Sequence, residues 1–434
     1  MMGGWPLAAT GLAIALLLWT ILRWKLHPFF ALLAAAIVLG WLSGMGAPAI
    51  LASTQKGTAD LLGSIALLLG AGVVLGRMIE VSGGGEALAR GLIRAFGTHR
   101  IPWALLLAGY LVGIPVFFDA AFVTLVPLVW SITRETKRSL LLFAIPLLSA
   151  LTATHGLIPP HPGPAAAAQL LGADMGRTIL YGLVLAVPMS IVGGIVWGGW
   201  IGRRIYVPCS AAPCSPGEGA RNSGIGATLA LVLLPVVLIG GAAYAPAWPW
   251  LKFTGSPQIA VLITALLAVV LLGARSGLGA DALLRHTGDA LNSIGSLLLI
   301  IGASGAFKQV IVDSGAGARF AQAVAGTHVS PLLMAYLVGA ALRITLGSAT
   351  ASILTAAGIV APMAASFPGV DRALLVMAVA CGGSILSHVN DSGFWLIKEY
   401  CGMTVGQTLR SYSVMKLVTS LTGLGGLFVL QLLV

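Results

Sequence analysis

Apolar residues run in long blocks along this chain instead of alternating with polar ones. Uninterrupted blocks lie at 7–22, 28–45, 61–80, 178–202, 225–245, 257–274, 291–311 and 411–434. These lengths suit helices that cross a bilayer, which need roughly 20 apolar residues. Four further blocks, 102–133, 139–172, 331–367 and 373–400, are longer and interrupted. The interruptions are Pro115 with Asp119, the run from Pro159 to Pro164, Arg343 with Gly347, and the group His388, Asn390 and Asp391. Backbone at membrane depth must satisfy its own hydrogen bonds. Broken helices persist there only inside protein or beside a wet cavity. Four breaks in one chain therefore predict an internal polar site.

Composition removes the competing classes. Hydrophobic residues make up 58% of the 434 and charged residues 9%, with a mean hydropathy of +0.99. Soluble domains carry about 25% charged residues, so a soluble enzyme, a disordered chain and a nucleic-acid binder are excluded. The expectation is an all-α polytopic membrane protein, set in the bilayer, with about 14 hydrophobic segments. The net charge of +11 fits Lys and Arg gathered in cytoplasmic loops. Four cysteines form no disulfide framework in a chain this long. Cys381 falls in an apolar block, and Cys209 and Cys214 fall in one polar loop. Met1-Met2-Gly3-Gly4-Trp5-Pro6 offers no basic region before the first apolar block, so no cleaved signal peptide is expected. No His-Glu-x-x-His and no cysteine cluster calls for a metal or another cofactor.

The two halves repeat. Gly63-Ser64, Leu67, Gly70-Ala71, Ile79, Ser82-Gly83 and Gly85 return 232 residues later as Gly295-Ser296, Leu299, Gly302-Ala303, Ile311, Ser314-Gly315 and Gly317. Tyr110-Leu111-Val112-Gly113 returns as Tyr336-Leu337-Val338-Gly339. Gly163, Gly172, Gly176 and Thr178 return as Gly393, Gly402, Gly406 and Thr408. The predicted organisation is a first transmembrane repeat at 1–202, a cytoplasmic linker at 203–224 and a second repeat at 225–434. If 102–133 and 331–367 are re-entrant hairpins, and 139–172 and 373–400 each cross once as a discontinuous helix, each half crosses five times. An odd number makes the repeats inverted in topology. With both termini periplasmic, 17 of the 24 Lys and Arg residues fall inside and 7 fall outside or within the hairpins, as the positive-inside rule requires. Lys416 counts among the inner cations. Paired repeats with breaks near the midplane are the mark of secondary transporters.

The breaks hold the candidate chemistry. Asp119 and Asp391 sit inside interrupted apolar blocks, where an ionisable residue is by default functional. Desolvation favours the neutral carboxyl group, which suits either residue to take up and release the coupling proton. A helix cap is the structural alternative. His155 and His161 flank Pro159-Pro160, and four prolines within six residues must unwind the chain. The next half-helix, expected to begin near Ala165, would present its N-terminus to an anion. An ordinary external turn explains the prolines equally well. In the repeat register His161 matches Asp391 and Pro160 matches Asn390, which makes His161 a third proton-carrying candidate. His388, Asn390 and Asp391 supply polar groups in the second copy, beside Gly393, the mate of Gly163. Arg343 can pair a substrate carboxylate or neutralise an Asp. Ser348 and Thr350 suit hydroxyl groups, or simply helix packing.

Gly302-Ala303-Ser304-Gly305 resembles the nucleophile motif of intramembrane rhomboid proteases, but Ser304 matches Gly72 in the repeat, and small residues at a helix contact explain both copies. A channel fits less well than a carrier, since paired midplane breaks are not filter motifs.

Several blocks together resemble the gluconate permease family of proton symporters. They are Thr154-His155-Gly156-Leu157-Ile158-Pro159-Pro160-His161-Pro162-Gly163-Pro164, Gly172-Ala173-Asp174-Met175-Gly176, Gly305-Ala306-Phe307-Lys308-Gln309-Val310, Leu342-Arg343-Ile344-Thr345-Leu346-Gly347-Ser348-Ala349-Thr350 and Ser387-His388-Val389-Asn390-Asp391-Ser392-Gly393-Phe394-Trp395. The resemblance runs nearly end to end. It implies uptake of gluconate or a related small hydroxy-carboxylate across the bacterial inner membrane, driven by protons. It also implies kinship with the wider ion-transporter superfamily, whose inverted repeats carry re-entrant hairpins. Asp119 departs from the Glu of gluconate-carrying members and resembles the version in members that carry D-serine; glycerate-like substrates and sodium coupling are the further alternatives. Oligomeric state stays open, a homo-oligomer included.

Overall fold

The computed structural model describes residues 5–209, 225–244, 248–315, 330–364, 369–388 and 391–434. Every regular element among them is helical. Among the described residues six helical stretches, counted across short turns, are long and apolar enough to cross a membrane, and five shorter apolar helices accompany them. Each of the four interrupted blocks is indeed broken. Ile101–Gly113 gives way to Phe118–Thr136, Leu141–Leu157 to Pro162–Leu171, Pro331–Leu346 to Ala349–Ala364, and Arg372–Gly383 to Ser392–Tyr400.

Three boundaries correct the hydropathy reading. The block at 61–80 is the end of one 35-residue helix, Ala47–Val81. Polar residues from Ser53 to Asp60 lower the hydropathy there without breaking the helix. Some of them pair within it: Lys56 meets Asp60 at 2.5 Å one turn on, and Thr54 donates to the Leu51 carbonyl. The block at 291–311 is interrupted at Ile294, with a new helix over Gly295–Asp313. The half-helix expected near Ala165 begins at Pro162. Proline is favoured in the first turn because its missing N–H has no partner to lose there.

The chain folds into two compact units. One comprises Met1–Ala66, Pro162–Thr178 and Gly295–Ser384; the other comprises Leu67–His161, Ile179–Ile294 and Ile385–Val434. The polypeptide passes from one unit to the other at 161/162 and at 384/385, within two of the four helix breaks.

In the first unit, the Ala47–Val81 and Gly295–Asp313 helices cross at Gly57 and Gly305. A methyl group built on either would collide with the other's carbonyl oxygen. Close backbone approach at small residues is how helices associate in lipid, where no hydrophobic force separates helix from tail. Beside the crossing, Thr58 donates to the Gly302 carbonyl at 3.1 Å, and Ser53 donates to Asp313 at 2.6 Å. The Pro162–Leu171 helix rests on Ile353 through Gly163.

In the second unit, Trp130 stacks on Tyr400 at 6.1 Å and donates its indole N–H to the Tyr400 carbonyl at 3.0 Å. This joins the Phe118–Thr136 helix to the Ser392–Tyr400 helix. After Pro188 the helix slackens into a π turn over Ile191–Val196. The Ser149 hydroxyl reaches the Met189 and Ser190 carbonyls beside it.

Candidate functional site

The second unit gathers most of the polar groups that interrupt apolar helices. His155 lies in the last turn of Leu141–Leu157, and His161 stands just before Pro162. The turn between them holds a cis bond from Pro159 to Pro160. It brings the two imidazoles together, with Nδ1 of His155 3.2 Å from Nδ1 of His161 and ring centroids 4.5 Å apart. Nε2 of His161 reaches the Gly113 carbonyl at 2.6 Å. That carbonyl ends a helix and has no intrahelical donor, so the histidine serves as its cap. His161 is only 3% exposed, which makes this bond structurally necessary.

Phenylalanines close the pair. Phe117 lies 5.9 Å from the His155 ring and 5.8 Å from the His161 ring, and Phe118 lies 6.5 Å from His155. A Cβ on Gly393 would stand 3.7 Å from the Phe118 ring and beside the Asp391 carboxylate. Phe118 therefore meets the proline break through His155 and lies beside Gly393 at the second break, within the same unit.

The second break is pinned by side chains. Asp391 caps the Ser392–Tyr400 helix, accepting the Gly393 N–H at 3.0 Å. The Ser387 hydroxyl donates to the Asp391 carboxylate, and the Ser413 hydroxyl donates to the Ser387 carbonyl. His388 is half-buried in the same stretch. Asn390 lies outside the described residues. Asp119 occupies the first turn of Phe118–Thr136 and is exposed, where the sequence placed it in an apolar interior. Its carboxylate and that of Asp391 act on one another electrostatically. An accessible carboxylate beside a capped one is an arrangement that can exchange a proton.

The other candidates belong to the first unit. Arg343 is 1% exposed, and its guanidinium donates to the Gly347 carbonyl. The backbone explains this: Gly347 turns left-handed at φ 75° to end the Pro331–Leu346 helix, and Arg343 satisfies a carbonyl freed there. The expected carboxylate clamp is thus engaged by its own chain. Ser348 is exposed and its hydroxyl accepts from the Ala351 N–H at 3.4 Å, so it starts the next helix; Thr350 is half-buried beside it. Gly163 is a packing residue against Ile353. Ser304 is buried and donates to the Ile300 carbonyl of its own helix at 2.9 Å, the behaviour of a packing serine.

Sequence reasoning missed Phe117, Phe118, Ser387, Ser413 and Lys416. The two phenylalanines carry no polar chemistry, and their only signal is adjacency to Asp119. Lys416 was counted with the loop cations, yet it is 6% exposed, and its charge acts on His155. Among the described residues no group of three His, Cys, Asp or Glu side chains is placed to hold a metal ion.

Comparison with known proteins agrees with this architecture. A family model described as GntP family permease matches residues 5–433. A gluconate permease of Pseudomonas aeruginosa is 41% identical over 426 residues, covering 95% of this chain and 94% of that one. A D-serine transporter of Escherichia coli is 34% identical over 446 residues, covering 99% of each. The crystal structure of the Alcanivorax borkumensis YdaH transporter shares the fold at a TM-score of 0.63 and 19% identity, covering 94% of this chain and 98% of that one.

Proposed function

The chain belongs to the GntP family of permeases, a family of multi-pass membrane transporters, and from that premise we propose that it takes up gluconate or a related small hydroxy-carboxylate by proton symport. It is a transporter and not an enzyme. The observation that carries the reading is the convergence of two helix breaks on Phe118, one bearing the His155–His161 pair and the other the Asp391 cap. A carrier needs polar groups at membrane depth that can gain and lose a ligand, and broken helices supply them.

The halves 1–202 and 225–434 are read as inverted repeats joined by the 203–224 linker, in the bacterial inner membrane with both termini periplasmic. What supports this is the recurrence in each half of a helix pair followed by a broken helix, at 101–171 and again at 331–400. Access alternates from one side to the other, with the breaks as the points where the chain yields. The substrate's carboxylate and hydroxyl groups bind at the breaks of the second unit, among His155, His161, His388, Asn390 and Asp391, while in the first unit Arg343 holds the turn at Gly347. The coupling proton rides on Asp119, Asp391 or His161. One proton with one monovalent anion moves no net charge, so uptake responds to the pH gradient; a second proton would add about 2.3 kcal/mol per 100 mV.

D-serine is the second reading, favoured by the relative named for that substrate and by Asp119. Reconstituted protein tested with gluconate, other sugar acids, glycerate, lactate and D-serine, under an imposed pH or Na⁺ gradient, decides both questions. Accumulation of gluconate that follows the pH gradient supports the proposal. Uptake that needs Na⁺ and ignores pH replaces the proton, and uptake of D-serine alone replaces the substrate.

A further inference from the structure

A lysine in an apolar helix is costly unless its charge is used. Lys416 stands in the helix Val414–Gln431 and is almost wholly buried at 6% exposure. It lies three residues beyond Ser413, so it falls on the same helical face, about one turn further along. Ser413 is the residue whose hydroxyl fastens this helix to the Ser387 carbonyl, and Ser387 in turn holds the Asp391 carboxylate. The ammonium group also exerts its field on His155 in the other break. Lys416 is thus buried one turn from the hydrogen bond that anchors one break, and its charge acts on the other. Arg343, the cation first expected to meet the substrate, has its guanidinium on the carbonyl of Gly347 instead.

We infer that Lys416 provides the positive charge that selects the substrate's carboxylate. The inference rests on the proposed carriage of a hydroxy-carboxylate. A lysine suits the task because an ammonium is a compact charge with three rotatable donors, able to follow a carboxylate without the fixed fork of a guanidinium. A carrier must also release what it binds. Selection here means preference for an acid over its uncharged amide: a site organised around a cation favours the acid, and a site that reads only hydroxyl groups treats both alike.

The test uses the full-length protein in proteoliposomes, with Lys416→Met and Lys416→Arg beside the wild type. Gluconate counterflow gives the half-saturation and the maximal rate, and gluconamide serves as the uncharged competitor. Lys416→Met is expected to raise the half-saturation at least tenfold and to bring the gluconate-to-gluconamide preference close to one. Lys416→Arg keeps the charge and is expected to keep most of the preference. A Lys416→Met protein that prefers gluconate as strongly as the wild type overturns the inference. Should Lys416→Met fail to fold, Lys416→Gln is measured in the same way with the same criterion. Amine labelling of the wild type adds an independent reading: gluconate, and not gluconamide, is expected to shield Lys416, and equal labelling with either overturns the inference. Failure of the substrate assignment looks different, since the wild type then carries no gluconate. The acid and amide of the substrate it does carry, D-serine and D-serine amide for example, then take the same roles.

Discussion

His155 and His161 point their Nδ1 atoms at one another across 3.2 Å, while Nε2 of His161 lies 2.6 Å from the Gly113 carbonyl. A carbonyl only accepts, so Nε2 of His161 carries a hydrogen. In a neutral His161, Nδ1 is then the acceptor, and Nδ1 of His155 must be the donor. Both tautomers follow, and Nε2 of His155 is left as the nitrogen open to a proton. Nitrogen-15 shifts of histidine-labelled protein are expected to show His161 protonated at Nε2 and His155 at Nδ1. His161→Phe leaves the Gly113 carbonyl without its donor and should cost about 1–3 kcal/mol of stability; an unchanged melting temperature would break this chain of argument.

Asp391 has two separable duties, the cap and the charge. Asn caps a helix as well as Asp does, whereas Ala at such a position costs about 0.5–2 kcal/mol. Asp391→Asn should therefore melt near the wild type, and Asp391→Ala clearly below it. Uptake is expected to fall in both. Full uptake by Asp391→Asn would leave Asp391 as a cap alone.

Arg343 is assigned to its own helix end. Arg343→Met removes a charged donor from the Gly347 carbonyl, a loss of about 1.5–3 kcal/mol by the usual worth of such bonds. The variant is expected to melt lower and still to prefer gluconate over gluconamide as the wild type does. Loss of that preference with stability intact would return Arg343 to the substrate.

Much of this was legible in the sequence, and the failures share one cause. The four breaks were visible because Pro, Gly or a charge inside an apolar block has few explanations. The polar stretch from Ser53 to Asp60 looked like a boundary because hydropathy does not register pairing one turn apart, such as Lys56 with Asp60. Lys416 was sorted with the loops because it lies near the start of its block, and a count of charges treats every lysine alike. Arg343 was rightly placed in an apolar setting, but its partner is a carbonyl freed by Gly347, which only the folded backbone reveals. Composition and periodicity identify which residues leave the apolar pattern; tertiary contacts decide what each one does.

The crossing of Gly57 and Gly305 bears on stability alone. A side chain at Gly305 meets the Gly57 carbonyl, and backbone cannot yield as a flexible side chain can. Overpacking of this kind costs about 1–3 kcal/mol and sometimes more. Gly305→Leu should lower the melting temperature or abolish folding, while Ser304→Ala, whose hydroxyl bonds only its own helix, should change little. A Gly305→Leu protein as stable as the wild type would mean that the two helices do not approach so closely.

Asp119 bears most directly on coupling. It is exposed, sits one residue from Phe118, which contacts His155 and lies beside Gly393, and feels the Asp391 charge. A group that carries the coupling proton must lose it during each net cycle. Asn imitates the protonated carboxyl group in shape and cannot lose that proton. Asp119→Asn is therefore expected to bind substrate and to exchange it across the membrane, since exchange needs no deprotonation. It should fail to accumulate substrate under a pH gradient. The comparison of counterflow with accumulation separates this from misfolding, which abolishes both. If Asp119→Asn accumulates substrate to the wild-type level, the proton rides elsewhere, and Asp391 and His161 are the residues left to carry it.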